Sequence, residues 1–205
     1  MIPSLSELSS LFANIDIYLF DQLLKGRINA GMRLLDAGCG NGRNIKYLIQ
    51  AGLDVFGADV SEVAIQELQE LAARIAPHLP QENFTVSDLR SLPYPDACFD
   101  VVLCSAVLHF AKSENHFREM VTELWRVLKP DGMLFCRFST TIGLEGKLHH
   151  LQDRFYQMPH GKTWFLADKK ILQEVEHQLK AERLEPLKTV LVEEERTMTT
   201  WVLRK

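Results

Sequence analysis

The chain has 205 residues, 46% of them apolar and 24% charged, with 23 Lys and Arg against 27 Asp and Glu for a formal net charge of −4. That is the length of one ordinary domain, too apolar for a disordered chain and too poor in Gly, Pro and Cys for a collagen-like or disulfide-scaffold class. The longest basic run is Lys169-Lys170, which speaks against a dedicated nucleic-acid binder, because phosphate binding draws on clustered Lys and Arg.

In chain order, residues 4–25 are expected to form one or two short helices. Leu5, Leu8, Leu11 and Phe12 recur at helical spacing, as do Ile15, Leu19, Phe20, Leu23 and Leu24, and Gly26 breaks the pattern. A first strand, Arg33 to Asp36, runs straight into Gly38, Gly40 and Gly42, and a helix carrying Ile45, Leu48 and Ile49 follows until Gly52. Leu53 to Gly57 reads as a second strand with Asp59 at its tip. Ser61 then caps a helix bearing Ile65, Leu68, Leu71, Ala72 and Ile75, stopped by Pro77. Asn83 to Ser87 is a third strand. Phe99 to Cys104 is a fourth, its unbroken apolar run typical of a strand buried on both faces. Ser113 caps a helix with Phe117, Met120, Val121, Leu124 and Leu128, the turn Pro130-Asp131-Gly132 follows, and Met133 to Phe138 is a fifth strand. Residues 140–167 show no clean period. Asp168 starts a last helix, and two strands, 187–192 and 198–203, flank the charged turn 193–196.

Strands alternating with helices build a parallel sheet with helices on both faces. The final pair has no helix between its strands, so the last strand should run against the others. The expected fold is α/β, a Rossmann-like doubly wound seven-stranded sheet, mostly parallel with an antiparallel last strand. It forms one domain over residues 1–205, with a helical cap at 1–28 and a lid at 140–167. Cys39, Cys98, Cys104 and Cys136 lack CxxC spacing and read as reduced thiols, with no metal site expected. From Met1 to Gly26 there is no basic leader, and no apolar run reaches the ~18 residues that span a bilayer, so a cytoplasmic protein with no membrane partner is expected.

The segment Leu34 to Gly42 has the form Asp-x-Gly-x-Gly-x-Gly directly before a helix. Ligands of open α/β sheets sit beyond the carboxyl ends of the strands, where strand order reverses. Glycines there let the backbone approach a ligand without a Cβ in the way, and a carboxylate at Asp59 can accept from a ribose diol. The pattern describes an adenosine-type cradle. In the dinucleotide fingerprint Gly-x-Gly-x-x-Gly the third glycine would come one residue later. Asp36, two residues before the first glycine, would repel a pyrophosphate but suit an ammonium or sulfonium.

The run LLDAGCGNGRN (34–44) resembles the first motif of class I S-adenosylmethionine-dependent methyltransferases, of the small bacterial methyltransferase-11/12-like type. GADVS (57–61), VSDLRSLPYPDACFDVVLCSAVLHF (86–110) and ELWRVLKPDGMLF (123–135) match further motifs in the same order. The resemblance implies an enzyme using S-adenosylmethionine and releasing S-adenosylhomocysteine. Asp36 and the loop Gly38, Cys39, Gly40, Asn41 and Gly42 would face the methionine part of the cofactor, with Arg43 and Asn44 opening the next helix. Asp59 would hold the ribose, Val60 with Ser61 would lie at the adenine, Asp88 and the Leu89 backbone would receive the adenine amino group, and Ser105 would lie near the methionine carboxylate. Asp88 also reads as a helix cap or turn residue.

Methyl transfer is an in-line displacement in which positioning does much of the work. His109 is the candidate general base, with a packing histidine as its alternative reading. The family often places a second His directly after it; here Phe110 follows. Within 140–167, Tyr156, His160 and Trp164 are the candidate acceptor-binding residues, beside His149, His150, Arg154, Phe155 and Lys162, and Phe12 and Tyr18 would close over the cofactor. The Asn/Asp-Pro-Pro-Tyr/Phe motif used on exocyclic amines and the Pro-Cys nucleophile of cytosine C5 enzymes are absent around Cys104. With the negative net charge, a small-molecule methyl acceptor is expected and no nucleic-acid partner, with protein or tRNA acceptors left as alternatives. Two other readings stay open: a non-catalytic S-adenosylmethionine-binding regulatory domain, and an NAD(P)-linked oxidoreductase on the same layered fold.

Overall fold

The computed structural model describes residues 4–12, 14–193 and 195–205. The chain start at Met1, Ala13 in the predicted helical stretch and Glu194 in the charged turn lie outside the described residues. The helices are α1 (Leu5–Phe12), α2 (Ile17–Leu24), α3 (Lys46–Gln50), α4 (Glu62–Ile75), α5 (Glu114–Val127) and α6 (Lys169–Leu179). The strands are β1 (Arg33–Ala37), β2 (Asp54–Asp59), β3 (Phe84–Val86), β4 (Phe99–Ser105), β5 (Leu128–Phe138), β6 (His149–Gln152), β7 (Phe155–Gln157), β8 (Thr163–Phe165), β9 (Glu182–Arg183), β10 (Lys188–Val192) and β11 (Arg196–Arg204).

Successive side chains of a strand point to opposite faces, and β1 buries both. Leu35 and Ala37 join the apolar layer under α5 and α6, and Leu34 joins the layer under α2, α3 and α4. With helices on both faces the central strands are mostly apolar, Asp36 of β1 being a buried exception. The main sheet runs β10-β11-β5-β4-β1-β2-β3. β1 pairs parallel with β2 on one side and with β4 on the other, and β4 pairs parallel with β5. β11 runs antiparallel to β5 and β10, as the short final connection implies. Strand order reverses between β1 and β4, which places the loops after these two strands, together with the tip of β2, at the switch point.

The two predicted caps form, and Asp168, the expected start of the last helix, is a third. Side-chain oxygens of Ser61, Ser113 and Asp168 accept from the N–H groups of Ala64, His116 and Ile171, each contact worth about 1 kcal/mol. Four details differ from the sequence expectation. The main sheet has an eighth strand among the described residues, the two-residue β9 paired with β11. The helix after the glycine loop begins only at Lys46, so Arg43 and Asn44 belong to the loop. Asn83 sits in a turn before β3 and donates to the Val55 carbonyl. The turn at Pro130 to Gly132 lies inside β5 as a bulge, with Asp131 at φ +61°.

The stretch 140–167, expected as irregular lid, contains a second, three-stranded antiparallel sheet, β6-β7-β8. Ring packing and ion pairs fasten it to the main body. Phe165 stacks on Phe117 of α5 at 5.3 Å, and Arg154 donates to Glu114 and Asp168 at 2.8 and 2.7 Å. At the opposite flank, buried Glu185 pairs with Lys25, Arg27 and Lys188, and Asp16 pairs with Arg137. These pairs hold α2 against the sheet.

Candidate functional site

Leaving β1 at Ala37, the chain turns back across β2: the Gly38 and Cys39 N–H groups both donate to the Ala58 carbonyl, at 2.7 and 3.1 Å. The turn puts Gly38 at φ +81°, and a Cβ there would stand 2.2 Å from Val107 Cγ2. Only glycine lets the loop lie this close to the turn after β4, where Ala106 itself is left-handed at φ +63°. At the tip of β2 the Asp59 carboxylate is fixed by two backbone donors, Gly40 N–H to Oδ2 at 2.8 Å and Ser61 N–H to Oδ1 at 2.9 Å. Each oxygen keeps acceptor capacity for a further donor.

Under the loop, Asp36 is 1% exposed, and neither carboxylate oxygen has a hydrogen-bond partner. Burial pushes its carboxyl up to about 7; Arg43 opposes the shift and the nearby Asp59 charge adds to it. Arg43 reaches across the site, donating to the Asn14 carbonyl at 3.1 Å and to Ser105 Oγ at 3.4 Å. Buried Asn44 accepts from the Asp16 N–H. The segment before α2 is thus tied to two residues of the glycine loop.

These elements enclose a cavity of about 730 Å³, within the range of small-molecule sites. Of the residues singled out in the sequence, Gly38, Cys39, Gly40, Asn41, Asn44, Asp59, Val60, Asp88, Leu89 and Ser105 line it. Asp88 is half-exposed and held by Arg90 through two side-chain contacts of 3.0 and 2.8 Å. That pair holds its carboxyl down to about 2.

The others stand outside the lining. Asp36 lies beneath the loop. Gly42 is needed for packing, since a Cβ there would meet Leu68 Cδ1 of α4 at 2.5 Å. Ser61 is spent as the α4 cap. His109 is 3% exposed, its Nδ1 accepts from the Ser139 N–H at 3.3 Å, and its ring lies 4.4 Å from Trp164. Burial, with Arg196 adding to it, lowers its pKa to about 4. Its placement is that of a neutral packing histidine. Trp164 also meets His160 at 4.9 Å, and Tyr156 meets His150 at 5.0 Å; none of the three candidate acceptor residues borders the cavity.

The lining also includes Arg43, named with Asn44 in the sequence, and adds Ala106, Val107, Phe110, Lys112, His116 and Met120. Lys112 precedes the Ser113 cap of α5, and His116 and Met120 lie one turn apart within that helix. That signal was visible in the sequence, but Met120 reads there as core. No helix among the described residues is long and apolar enough to cross a membrane.

Comparison with known proteins agrees with this geometry. A family described as "Methyltransferase domain" matches residues 35–136. The 27-O-demethylrifamycin SV methyltransferase of Amycolatopsis mediterranei (strain S699) is 33% identical over 131 residues, which are 62% of this chain and 47% of that protein. The tRNA (carboxymethyluridine(34)-5-O)-methyltransferase of Arabidopsis thaliana is 33% identical over 106 residues, 51% of this chain and 23% of that one. The chain spans less than half the length of these curated relatives. Among solved structures, magnesium protoporphyrin IX methyltransferase from Synechocystis PCC 6803 with bound SAH shares the fold. The TM-score is 0.68 at 19% identity, over 95% of this chain and 83% of that one. The matched motifs, the strand order and the cavity at the switch point agree: the chain belongs to the class I methyltransferase family.

Proposed function

We propose that the protein transfers a methyl group from S-adenosylmethionine to a small-molecule acceptor. The observation that carries this reading is the Asp36 carboxylate, buried under the glycine loop with both oxygens unpartnered. A buried charge without a partner is strongly unfavourable, and a ligand ammonium or sulfonium repairs it. A pyrophosphate at the same loop would add negative charge beside Asp36 and Asp59, so a nicotinamide dinucleotide fits poorly.

When bound, S-adenosylmethionine supplies an electrophilic methyl group on a positively charged sulfur. The chain's own residues orient it. Asp36, beneath the glycine loop, sets a negative charge under the cationic methionine end, and Arg43 with Ser105 offers donors for its carboxylate. Asp59, already positioned by Gly40 and Ser61, accepts from the ribose hydroxyls. Asp88, steadied by Arg90, accepts from the adenine amino group, while Val60 and Leu89 lie at the base. The glycine loop, free of side chains, permits the close approach. Catalysis then rests on holding the acceptor in line with the methyl group, and His109, outside the cavity lining, packs behind Phe110.

The small-molecule class follows from the walled cavity and the chain's −4 charge. The β6-β7-β8 sheet is the roof that would close over the acceptor. The test is thermal unfolding with S-adenosylhomocysteine or NAD, each at about 100 times Kd, where a bound ligand adds about 2.7 kcal/mol, roughly 5–10 °C for this length. A shift with the adenosyl ligand and none with NAD is expected. The reverse result would overturn the cofactor assignment. Asp59→Ala is expected to weaken S-adenosylhomocysteine binding at least about tenfold in calorimetry, because it removes a charged acceptor. Unchanged affinity would remove the ribose role.

A further inference from the structure

The cavity has a second half that the cofactor assignment leaves unused. Beyond the glycine loop, Asp59, Asp88 and Ser105, its wall is made by Val107, Phe110, Lys112, His116 and Met120. A second hollow of about 400 Å³ is lined by Lys112 together with Leu151, Gln152, Phe155 and Thr163 from the β6-β7-β8 sheet and its turn. Lys112 is common to both, so the two hollows meet at its side chain.

Around this junction the arginines are paired with carboxylates and one lysine is not. Arg90 is committed to Asp88, and Arg118 and Arg154 are committed to Glu114. Lys112 forms no ion pair among the described residues, although its backbone N–H donates to His116 Nδ1 at 2.9 Å. His116 is held below its ordinary pKa, by burial first and then by Arg90 and Lys112, with Asp88 and Glu119 opposing the shift. Neither the unused half of the cavity nor the second hollow has an Asp or Glu in its wall. Apart from His116, Gln152 and Thr163 the remaining surface is apolar or aromatic, with Phe110 58% exposed. A lone uncommitted ammonium set among Phe110, Leu151 and Phe155 suits one anionic group on an apolar, ring-sized body. It does not suit a polyanion, which needs several cations.

We infer that the methyl acceptor is an apolar carboxylic acid, with Lys112 holding its carboxylate and Phe110, Leu151 and Phe155 holding its body. This inference rests on the methyltransferase reading and names the substrate class of that site. Lys112 is on this account a specificity-determining residue.

The test uses 2-naphthoate and its uncharged amide, 2-naphthamide, as probes of equal shape, titrated by calorimetry into the full chain with and without S-adenosylhomocysteine. The wild-type protein is expected to prefer the carboxylate at least about tenfold, the scale of one charge-assisted hydrogen bond. Lys112→Met, which keeps most of the stem and removes the charge, is expected to erase that preference while retaining amide binding. Equal affinity for the two probes, a preference that survives in Lys112→Met, or no binding of either probe would each overturn the inference. Titration of S-adenosylhomocysteine alone into the same protein reports separately on the cofactor reading, so the two failures are distinguishable.

Discussion

Asp36→Asn is expected to weaken S-adenosylhomocysteine binding about a hundredfold at pH 8, the scale of removing one partner from a buried charge pair, and to abolish the pH dependence of that binding. Asp36 sits under the glycine loop with both oxygens unpartnered, and burial raises its carboxyl to about 7. The charged and titratable groups around it are Arg43, Asp59 and the buried thiols of Cys39 and Cys104. Both thiols are pushed upward and stay neutral, so Asp36 is the group that titrates near neutrality. A ligand ammonium binds the ionised carboxylate. In the wild type the affinity should therefore rise with pH, by up to about tenfold per unit below pH 7, and level off above it.

The unliganded protein should show the opposite trend. Between about pH 4 and 7 the folded state keeps the Asp36 proton that the unfolded chain has lost, so stability falls as pH rises through that window. The fall is complete above pH 7, and Asp36→Asn should remove it. Calorimetric titrations and denaturant unfolding at pH 5.5, 6.5, 7.5 and 8.5 check both trends. Parallel pH profiles for wild type and variant would refute the assignment.

The parts of this fold written in local chemistry were legible in the sequence. Ser61, Ser113 and Asp168 each stand directly before an amphipathic stretch, and a cap needs only its own first turn. The apolar run of β4 and the loop from Asp36 to Gly42 were legible for the same reason. The parts that depend on distant partners were not. β6 is exposed along its whole length and β7 carries three residues, so neither shows a period. They exist because Phe165 finds Phe117 and Arg154 finds Glu114. The same holds within the site. Gly42 and His109 sit beside cavity residues in sequence, yet the fold uses one for packing on Leu68 and the other for packing on Trp164. Lys112 and His116 come to the cavity only because α5 starts at its mouth.

The three glycines of the loop should also separate from one another, with Gly38→Ala giving the largest loss of stability of any alanine substitution in the loop. All three sit at positive φ, where a side chain costs about 1–2 kcal/mol. What differs is the space. At Gly40 nothing lies within 4 Å of the position a Cβ would take, so Gly40→Ala should cost little beyond the backbone strain. At Gly42 the obstacle is Leu68 Cδ1 at 2.5 Å, the end of a side chain that can rotate away. At Gly38 the obstacle is the branched side chain of Val107, with Cγ2 at 2.2 Å and both Cβ and Cγ1 at 3.3 Å. A β-branched side chain has no easy rotamer to retreat to, and the left-handed Ala106 beside it holds the backbone turn in place. Forced overpacking adds about 1–3 kcal/mol, so Gly38→Ala should lose about 2–5 kcal/mol in all. Denaturant unfolding should rank the variants Gly38, then Gly42, then Gly40. The same series should lose S-adenosylhomocysteine affinity most at Gly38, because moving Val107 displaces a wall of the cavity itself. A Gly38→Ala protein as stable as Gly40→Ala would mean that the turn after β4 yields freely. The close approach of the two loops would then have no part in shaping the site.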